Sequence, residues 1–382
     1  MTHSGMNSPN RSRRLNAEQG NDHRPSTVTS ADNDGSEQLT EAIREATRNG
    51  NPLAIQGGNN KSFYGRRIDG TTLPVAAHAG ILSYDPTELV LSARAGTSLA
   101  LLESVLAEHH QIIPFEPPHF GPTATLGGAI ACGLSGPRRP FSGATRDFVL
   151  GVTVLTGRGQ RLRFGGQVMK NVAGYDIARL MTGGFGTLGV LLDVSIKVLP
   201  APQSEITLAL ERNTETAIQT MNALAARPLP LSAAFAYEGI LSLRLSGTAS
   251  AVATARQSVG GTEVDGSSLW PSIREHTHPF FAGAKPLWRL SVPAPTPPID
   301  LPGASLIDWG GAQRWLRSDA KAPAIRAAVE RAGGHATFFR GHDGRGEIFH
   351  PLSPALLTLH KRLKAAFDPQ RILNPGRMYE EF

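Results

Sequence analysis

The stretch G-P-T-A-T-L-G-G-A-I-A-C-G-L-S-G-P, residues 121–137, holds five glycines, three alanines and no charged side chain. An uncharged run of this length invites reading as a membrane span. Pro122 and Pro137 bracket it, however, glycine disfavours helix, and spanning takes about 20 mainly apolar residues. A flexible linker is excluded by Leu126, Ile130, Ala131 and Leu134, which give the run a packing side that Gly/Ser linkers lack. What remains is backbone drawn close to something large and flat, where each missing Cβ makes room and each N–H can donate.

Two more backbone-rich segments share this character: residues 56–62, Q-G-G-N-N-K-S, and residues 183–189, G-G-F-G-T-L-G. The second contains GxGxxG, but a dinucleotide fingerprint needs a strand before it and a helix after it. Here the helical pattern precedes and the strand pattern follows, so a Rossmann site is rejected. The first resembles a P-loop, yet Asn60 stands where the glycine before Lys61 is required. Turns of this kind hold phosphate oxygens on runs of N–H groups without a metal. Three of them predict a long ligand contacted from several sides.

The chain has 382 residues, 40% hydrophobic and 18% charged, which fits a globular protein of two domains. Residues 1–36 are poor in apolar side chains and are expected to form a disordered tail. They lack the apolar core of a secretory signal and contain acids that a transit peptide avoids, so a cytoplasmic protein is expected. Cys132 is the only cysteine, which excludes an internal disulfide and an iron–sulfur cluster ligated by this chain. The net charge of +6 is spread along the sequence rather than gathered on one helix or arm, so no nucleic-acid partner is expected.

Periodicity predicts a short helix at E-A-I-R-E-A-T-R, a strand at P-L-A-I-Q and a glycine-led turn. Residues 89–95 alternate as a half-buried strand with Leu89, Leu91, Ala93 and Ala95 on one side. Thr97 or Ser98 then caps a helix whose Leu99, Leu102, Val105 and Leu106 share a face. D-F-V-L-G-V-T-V-L, T-G-R-G and Q-R-L-R-F read as a hairpin. K-N-V-A-G-Y-D-I-A-R-L-M reads as a turn and a short helix. V-L-L-D-V-S-I-K-V-L alternates, with Val190, Leu192, Val194, Ile196 and Val198 facing one way and Asp193, Ser195 and Lys197 the other. Residues 205–261 then read strand, helix, strand, strand, helix, and a similar order recurs from P-L-W-R-L-S-V to H-A-T-F-F. Two such units side by side predict one broad antiparallel sheet with helices on one face. L-L-T-L-H-K-R-L-K-A-A-F closes the chain as an amphipathic helix before R-I-L-N-P-G-R.

With these residues in view, I-Q-G-G-N-N-K-S, A-T-L-G-G-A-I-A-C-G-L-S-G, T-R-D-F-V-L-G, K-N-V-A-G-Y-D and G-T-L-G-V, in that order, resemble the flavin domain of the vanillyl-alcohol-oxidase (PCMH-type) superfamily. E-P-P-H-F-G, G-P-R-R-P-F-S-G-A-T-R-D-F-V-L-G and F-G-G-Q-V-M-K-N-V-A-G-Y-D resemble, segment by segment, the FAD-binding E subunits of glycolate oxidase complexes. The similarity is dense from about residue 40 to 200 and returns at R-I-L-N-P-G-R. It implies an α+β protein: a two-part FAD-binding domain over residues 37–202, an α+β cap with an antiparallel sheet of ferredoxin-like repeats over 203–350, and a C-terminal helix and tail, 351–382, returning to the FAD domain. It further implies that Gly57, Gly58, Asn59, Asn60, Lys61 and Ser62 form one phosphate turn. Thr125, Gly127, Gly128, Gly133 and Gly136 then approach the pyrophosphate and ring, Gly189 and Val190 approach the adenine, and Pro118, Gly143 and Asp147 complete the site. Many members bond FAD to a histidine in the first glycine turn; Asn59 and Asn60 stand there, so FAD is expected to be non-covalent.

Related catalytic flavoproteins hold a metal on a His-x6-His pair. His335 and His342 keep that spacing in H-A-T-F-F-R-G-H, but residues seven apart on a strand face opposite ways and no carboxylate motif follows, so no metal is expected. His119, His276, His278, Arg138 and Arg139 are weaker candidates, and no catalytic residue is assigned. The resemblance implies a catalytic, FAD-containing D subunit, an iron–sulfur F subunit, a small 2-hydroxy acid substrate, and peripheral association with the inner face of the cytoplasmic membrane through the complex. A self-sufficient flavin oxidase of another hydroxy acid or sugar, and a non-redox assembly subunit, are the alternatives.

Overall fold

The structure, a computed structural model, describes residues 33–166 and 176–382. The expected tail therefore lies outside the described residues except for its last four, and the turn expected over K-N-V-A-G-Y lies outside them as well. Order reaches into those last four residues. Asn33 exchanges backbone hydrogen bonds with Ala79 at 3.0 and 3.2 Å, and the Asp34 carboxylate lies 3.2 Å from Arg94. Partners about 45 to 60 residues further along supply what the local composition lacks.

The helix Ser36–Asn49 buries Leu39, Ile43 and Ala46 on one stripe and ends at Gly50, whose φ of 67° is the left-handed conformation glycine adopts most easily. Its stripe packs on a parallel pair, Leu53–Gln56 with Thr71–Pro74, and on Ile372 and Leu373 from the far end of the chain. A five-stranded sheet follows, in the spatial order Ile81–Asp85, Val90–Arg94, Val190–Lys197, Val149–Leu155, Arg161–Gly165, with every pairing antiparallel. Ser98 caps the helix Leu99–Glu108 by accepting from Leu101 N–H, and Leu99, Leu102, Val105 and Leu106 are its buried residues, as the spacing predicts. The hairpin Val149–Leu155/Arg161–Gly165 and the helix Ile177–Met181 also match expectation.

Two strands differ from their reading as half-buried. Val90, Ser92 and Arg94 are as covered as Leu91 and Ala93, and Ser195 is buried too. The second face is closed by Ser92 Oγ against Ser195 Oγ at 2.7 Å, by Asp34 over Arg94, and by the buried His78 beside Asp193. Polar side chains that alternate outward in sequence are here paired with each other.

The second half forms one eight-stranded sheet, ordered Thr262–Val264, Ser204–Glu211, Ile240–Gly247, Leu231–Tyr237, Ala304–Asp308, Gln313–Arg317, Leu287–Ser291, His335–Arg340. Numbered within each half, the four strands run 4-1-3-2 and then 2-3-1-4. The two units therefore share one ferredoxin-like topology and meet at Ala236 opposite Ile307. The first unit carries the helices Thr214–Ala225 and Ala249–Val259; the second keeps only Ala322–Arg331. Its missing crossover helix is replaced by V-P-A-P-T-P-P-I-D-L-P-G, residues 292–303. Proline at this density removes helix donors, and Arg314 instead ties the loop through the carbonyls of Thr296 and Pro297.

These three helices cover one face of the sheet, over Leu208, Leu243, Ala234 and Ile307 in the first unit and Trp288, Leu290, Leu316 and Ala336 in the second. Alternate residues Ala233, Phe235, Leu306, Trp315 and Phe339 point to the opposite face. There they pack with Tyr64, Leu134 and Phe185 of the first half. The face without those helices is thus the one that closes on the glycine-rich segments.

The helix Pro354–Phe367 returns the chain to the first half. Lys364, with 1% of its surface exposed, donates to the carbonyls of Thr187 and Leu373 at 2.7 and 2.6 Å and to Asp368 at 2.8 Å. Asp368 in turn accepts from the N–H groups of Ile372 and Leu373.

Candidate functional site

Between the two halves lies a cavity of about 850 Å³, at the upper end of the ~300–1,000 Å³ range of small-molecule sites. Residues 54–63, 124–132 and 185–191 each contribute to its wall, joined by Arg340–Gly344 of the cap and by Asn374 and Arg377. Of the residues expected at the cofactor, Gly57, Gly58, Asn59, Asn60, Lys61, Ser62, Thr125, Gly127, Gly128, Gly189 and Val190 line it. The structure brings these together from three separate segments.

Why the glycines are there follows from what a Cβ would meet. At Gly58 it would lie 1.6 Å from the Thr123 carbonyl oxygen, and at Gly127 2.7 Å from the Ala95 Cβ. These absences let the first turn and the glycine window press against their neighbours, which shapes the wall. At Gly128 the nearest atom is Thr125 Oγ1 at 3.1 Å and nothing else lies within 4 Å, so its backbone faces open space. Thr125 caps the helix Leu126–Cys132 through Gly128 N–H. Asn60 is held by Thr123, whose hydroxyl donates to its Oδ1 at 2.6 Å.

Lys61 carries the charge of the site. It is 8% exposed, yet among the described residues its Nζ has only the His119 carbonyl, at 3.4 Å, and the face of Phe120. Burial pulls its pKa below the ordinary lysine value, and the same burial raises the Cys132 thiol nearby. A buried cation without a carboxylate partner is costly unless an anion completes it. Backbone turns, one unpaired lysine and apolar walls from Ile55, Val75, Ala95 and Leu191 together fit a ligand with a phosphate middle and flat apolar ends.

Five of the expected residues do not line the cavity. Gly133 ends the helix Leu126–Cys132 in the left-handed conformation, and a Cβ there would crowd Gly183 at 3.0 Å. Gly136 approaches the Glu116 carbonyl and accepts from Trp309 Nε1 at 3.0 Å. Gly143 turns at φ 119°, and Asp147 accepts from Ala144 N–H to cap the following turn. Pro118 borders a separate space of only about 20 Å³ that also touches His276, Arg289 and Asp308. Each is fixed by chain geometry one layer behind the cavity.

The remaining candidates are likewise engaged elsewhere. His119 Nε2 lies 3.1 Å from Glu103 and its backbone N–H donates to Glu275. Arg138 pairs with Glu116 and Glu205, and Arg139 lies over the Trp309 ring. His276 stacks on Phe281 at 4.0 Å, and burial keeps its imidazole neutral well below the ordinary pKa. His278 caps a short turn through Phe280 N–H. His335 sits beside His350, whereas His342 lies at the cavity and accepts from Gly344 N–H. No group of three or more His, Cys, Asp or Glu able to hold a metal occurs among the described residues.

Sequence reasoning missed several residues at the wall. Asn374 Oδ1 accepts from Ile55 N–H at 2.7 Å and its amide donates to Phe185 O at 2.6 Å, tying the first and third segments together. Arg377 donates to the carbonyls of Ser62, Tyr64 and Arg66, clamping the first turn. Both lie in R-I-L-N-P-G-R, whose return of similarity was the available signal. Phe120 lies in E-P-P-H-F-G and Arg340 in H-A-T-F-F-R-G-H, but neither was singled out there, and Phe63 carried no signal.

Comparison with known proteins sets this geometry in a family. Residues 34–165 match the family described as an FAD binding domain, and residues 340–378 the C-terminal domain of FAD linked oxidases. The chain is 49% identical over 348 residues to the glycolate oxidase subunit GlcE of Escherichia coli (strain K12), covering 91% of this chain and 98% of that protein. It belongs to the GlcE family. As a GlcE-family chain it is an FAD-dependent oxidoreductase subunit of α+β fold, and its cofactor is FAD. The glycolate oxidase subunit GlcD of Bacillus subtilis (strain 168) is 34% identical over 158 residues, 41% of this chain but only 33% of that protein. Among solved structures, alkyldihydroxyacetonephosphate synthase superposes with a TM-score of 0.63 at 14% identity, over 89% of this chain and 75% of that one, and so shares the fold. Among the described residues, no helix is long and apolar enough to cross a membrane.

Proposed function

We propose that this chain is the FAD-bearing E-type subunit of a multi-subunit glycolate oxidase, holding its cofactor non-covalently in the 850 Å³ cavity. The observation that carries this reading is the coincidence of three glycine-rich wall segments with the buried Lys61, which makes no ion-pair contact among the described residues. The near full-length relation to a glycolate oxidase subunit supports it. When bound, FAD supplies the acceptor for the hydride equivalent that leaves a 2-hydroxy acid on oxidation to the 2-oxo acid.

The chain's own residues do the rest. The N–H groups of residues 57–61 would hold the phosphate oxygens, and Lys61 would neutralise their charge. Asn374 and Arg377 hold the turn in place from the far end of the chain. Ile55, Val75 and Val190 would give the adenine a dry wall. With Cys132 as the sole cysteine, an iron–sulfur relay belongs to a separate F-type subunit, and a D-type subunit with its own FAD shares the chemistry. Membrane association, in this reading, comes through the assembly at the inner face of the cytoplasmic membrane.

Anaerobic addition of glycolate tests the division of labour. The assembled complex should lose its flavin absorbance, and this chain's bound flavin should bleach fully only when D- and F-type partners are present. Bleaching of the isolated chain at the rate of the complex would favour a self-sufficient oxidase. A complex that turns over equally well with this chain stripped of FAD would favour a scaffold.

A further inference from the structure

Arg340 ends the outermost strand of the cap sheet and points its side chain at the cavity. Its guanidinium carbon lies 4.2 Å from the Phe63 ring centre, 4.8 Å from Phe120 and 5.7 Å from Phe339. Among the described residues it makes no ion pair or hydrogen bond. A guanidinium that rests against a cluster of aromatic rings still offers its N–H edge for binding, and that edge matches a planar carboxylate with two parallel hydrogen bonds. A pyrophosphate is served differently, by backbone N–H groups and the point charge of Lys61, which lies 5.7 Å from the Phe120 ring centre. The surroundings of Arg340 are aromatic and partly dry, which favours a small organic anion over a hydrated one.

Resting on the reading that FAD occupies the cavity, we infer that Arg340, packed against Phe63 and Phe120, anchors the carboxylate of a small hydroxy acid in this chain. The substrate class thereby has a binding residue here and not only on the partner subunit. Arg340 keeps its charge through neutral pH, since burial lowers its pKa only to about 10.

The test uses the full chain loaded with FAD and titrates oxalate, a non-oxidisable planar carboxylate, by calorimetry. FAD content is measured separately on every sample. The wild type should bind oxalate saturably. Arg340→Gln should lose about 10- to 100-fold in affinity, and Arg340→Lys, which keeps the charge but not the fork, should fall between them. Both variants should keep the wild-type FAD content and melting temperature. Where Arg340→Gln fails to fold, Arg340→Lys alone decides. The inference is overturned if oxalate binds all folded variants equally, if the wild type binds none, or if the variants lose FAD instead, which would place Arg340 at the cofactor. A chain that takes up no FAD would remove the cofactor reading, and calorimetry would still report on the anion site.

Discussion

Asp308 sits at the seam between the halves, 2% exposed, accepting from Trp309 N–H at 2.8 Å and from Gln313 Nε2 at 3.2 Å. Burial outweighs these bonds and raises its carboxyl to about 7. The folded chain therefore holds this proton up to neutral pH, whereas an unfolded chain releases it near 3.9. Native Asp308 binds more proton than unfolded Asp308 in that window, so stability falls as pH rises from about 4 to 7 and levels off above. Melting temperatures across pH 5 to 8 should decline for the wild type and decline less for Asp308→Asn; parallel curves would refute the assignment. At this scale the sequence was readable where a residue lay inside a motif. Lys61, Thr125 and Gly128 were found because their turns are local. Arg340, Asn374 and Arg377 were not, because their partners lie about 200 to 320 residues away and no local pattern encodes such contacts. Gly133, Gly136 and Gly143 lie off the cavity wall, and a glycine that lets another part of the chain come close, backbone at Gly133 and Gly136 and side chains at Gly143, looks in sequence the same as one that faces a ligand.

Among the elements, the C-terminal helix depends on a single buried pair. Lys364 and Asp368 are both almost without exposure, and together they satisfy carbonyls of the third glycine segment and N–H groups of the R-I-L-N-P-G-R turn. Removing one partner leaves a buried charge uncompensated, which costs about 3–5 kcal/mol. Lys364→Met should lower unfolding free energy by that order, read by denaturant titration, and should loosen the residues 187–191 wall. A loss below about 1 kcal/mol would mean the pair is not the clasp described. Helix and strand identities were largely legible here, since the caps, the hairpin turn and the repeated strand and helix order follow from local chemistry. Burial on both faces of Val90–Arg94 was not, because its second cover comes from Asp34 and from the paired Ser195. The expected recurrence of order did not register that the second unit lacks its crossover helix, although residues 292–303 are proline-rich where the first unit has a helical pattern.

For the whole molecule, the eight-stranded sheet has one face covered by helices and the other closed on the FAD-binding half through aromatic side chains. The cavity lies along that closure, so cofactor and cap are coupled through the same residues: Lys61 and Arg340 both contact Phe120. In the proposed reading this cavity holds FAD without a covalent bond, with Lys61 as its charge partner. The most direct measurement is the flavin content of the purified, FAD-reconstituted chain, read from the visible spectrum before and after acid precipitation, beside the Lys61→Met variant. The expected result is about one flavin per chain, fully released by acid, with Lys61→Met weakened by about 10- to 100-fold in FAD affinity. Flavin that stays with the precipitated chain, or a wild-type chain that takes up none, would contradict it.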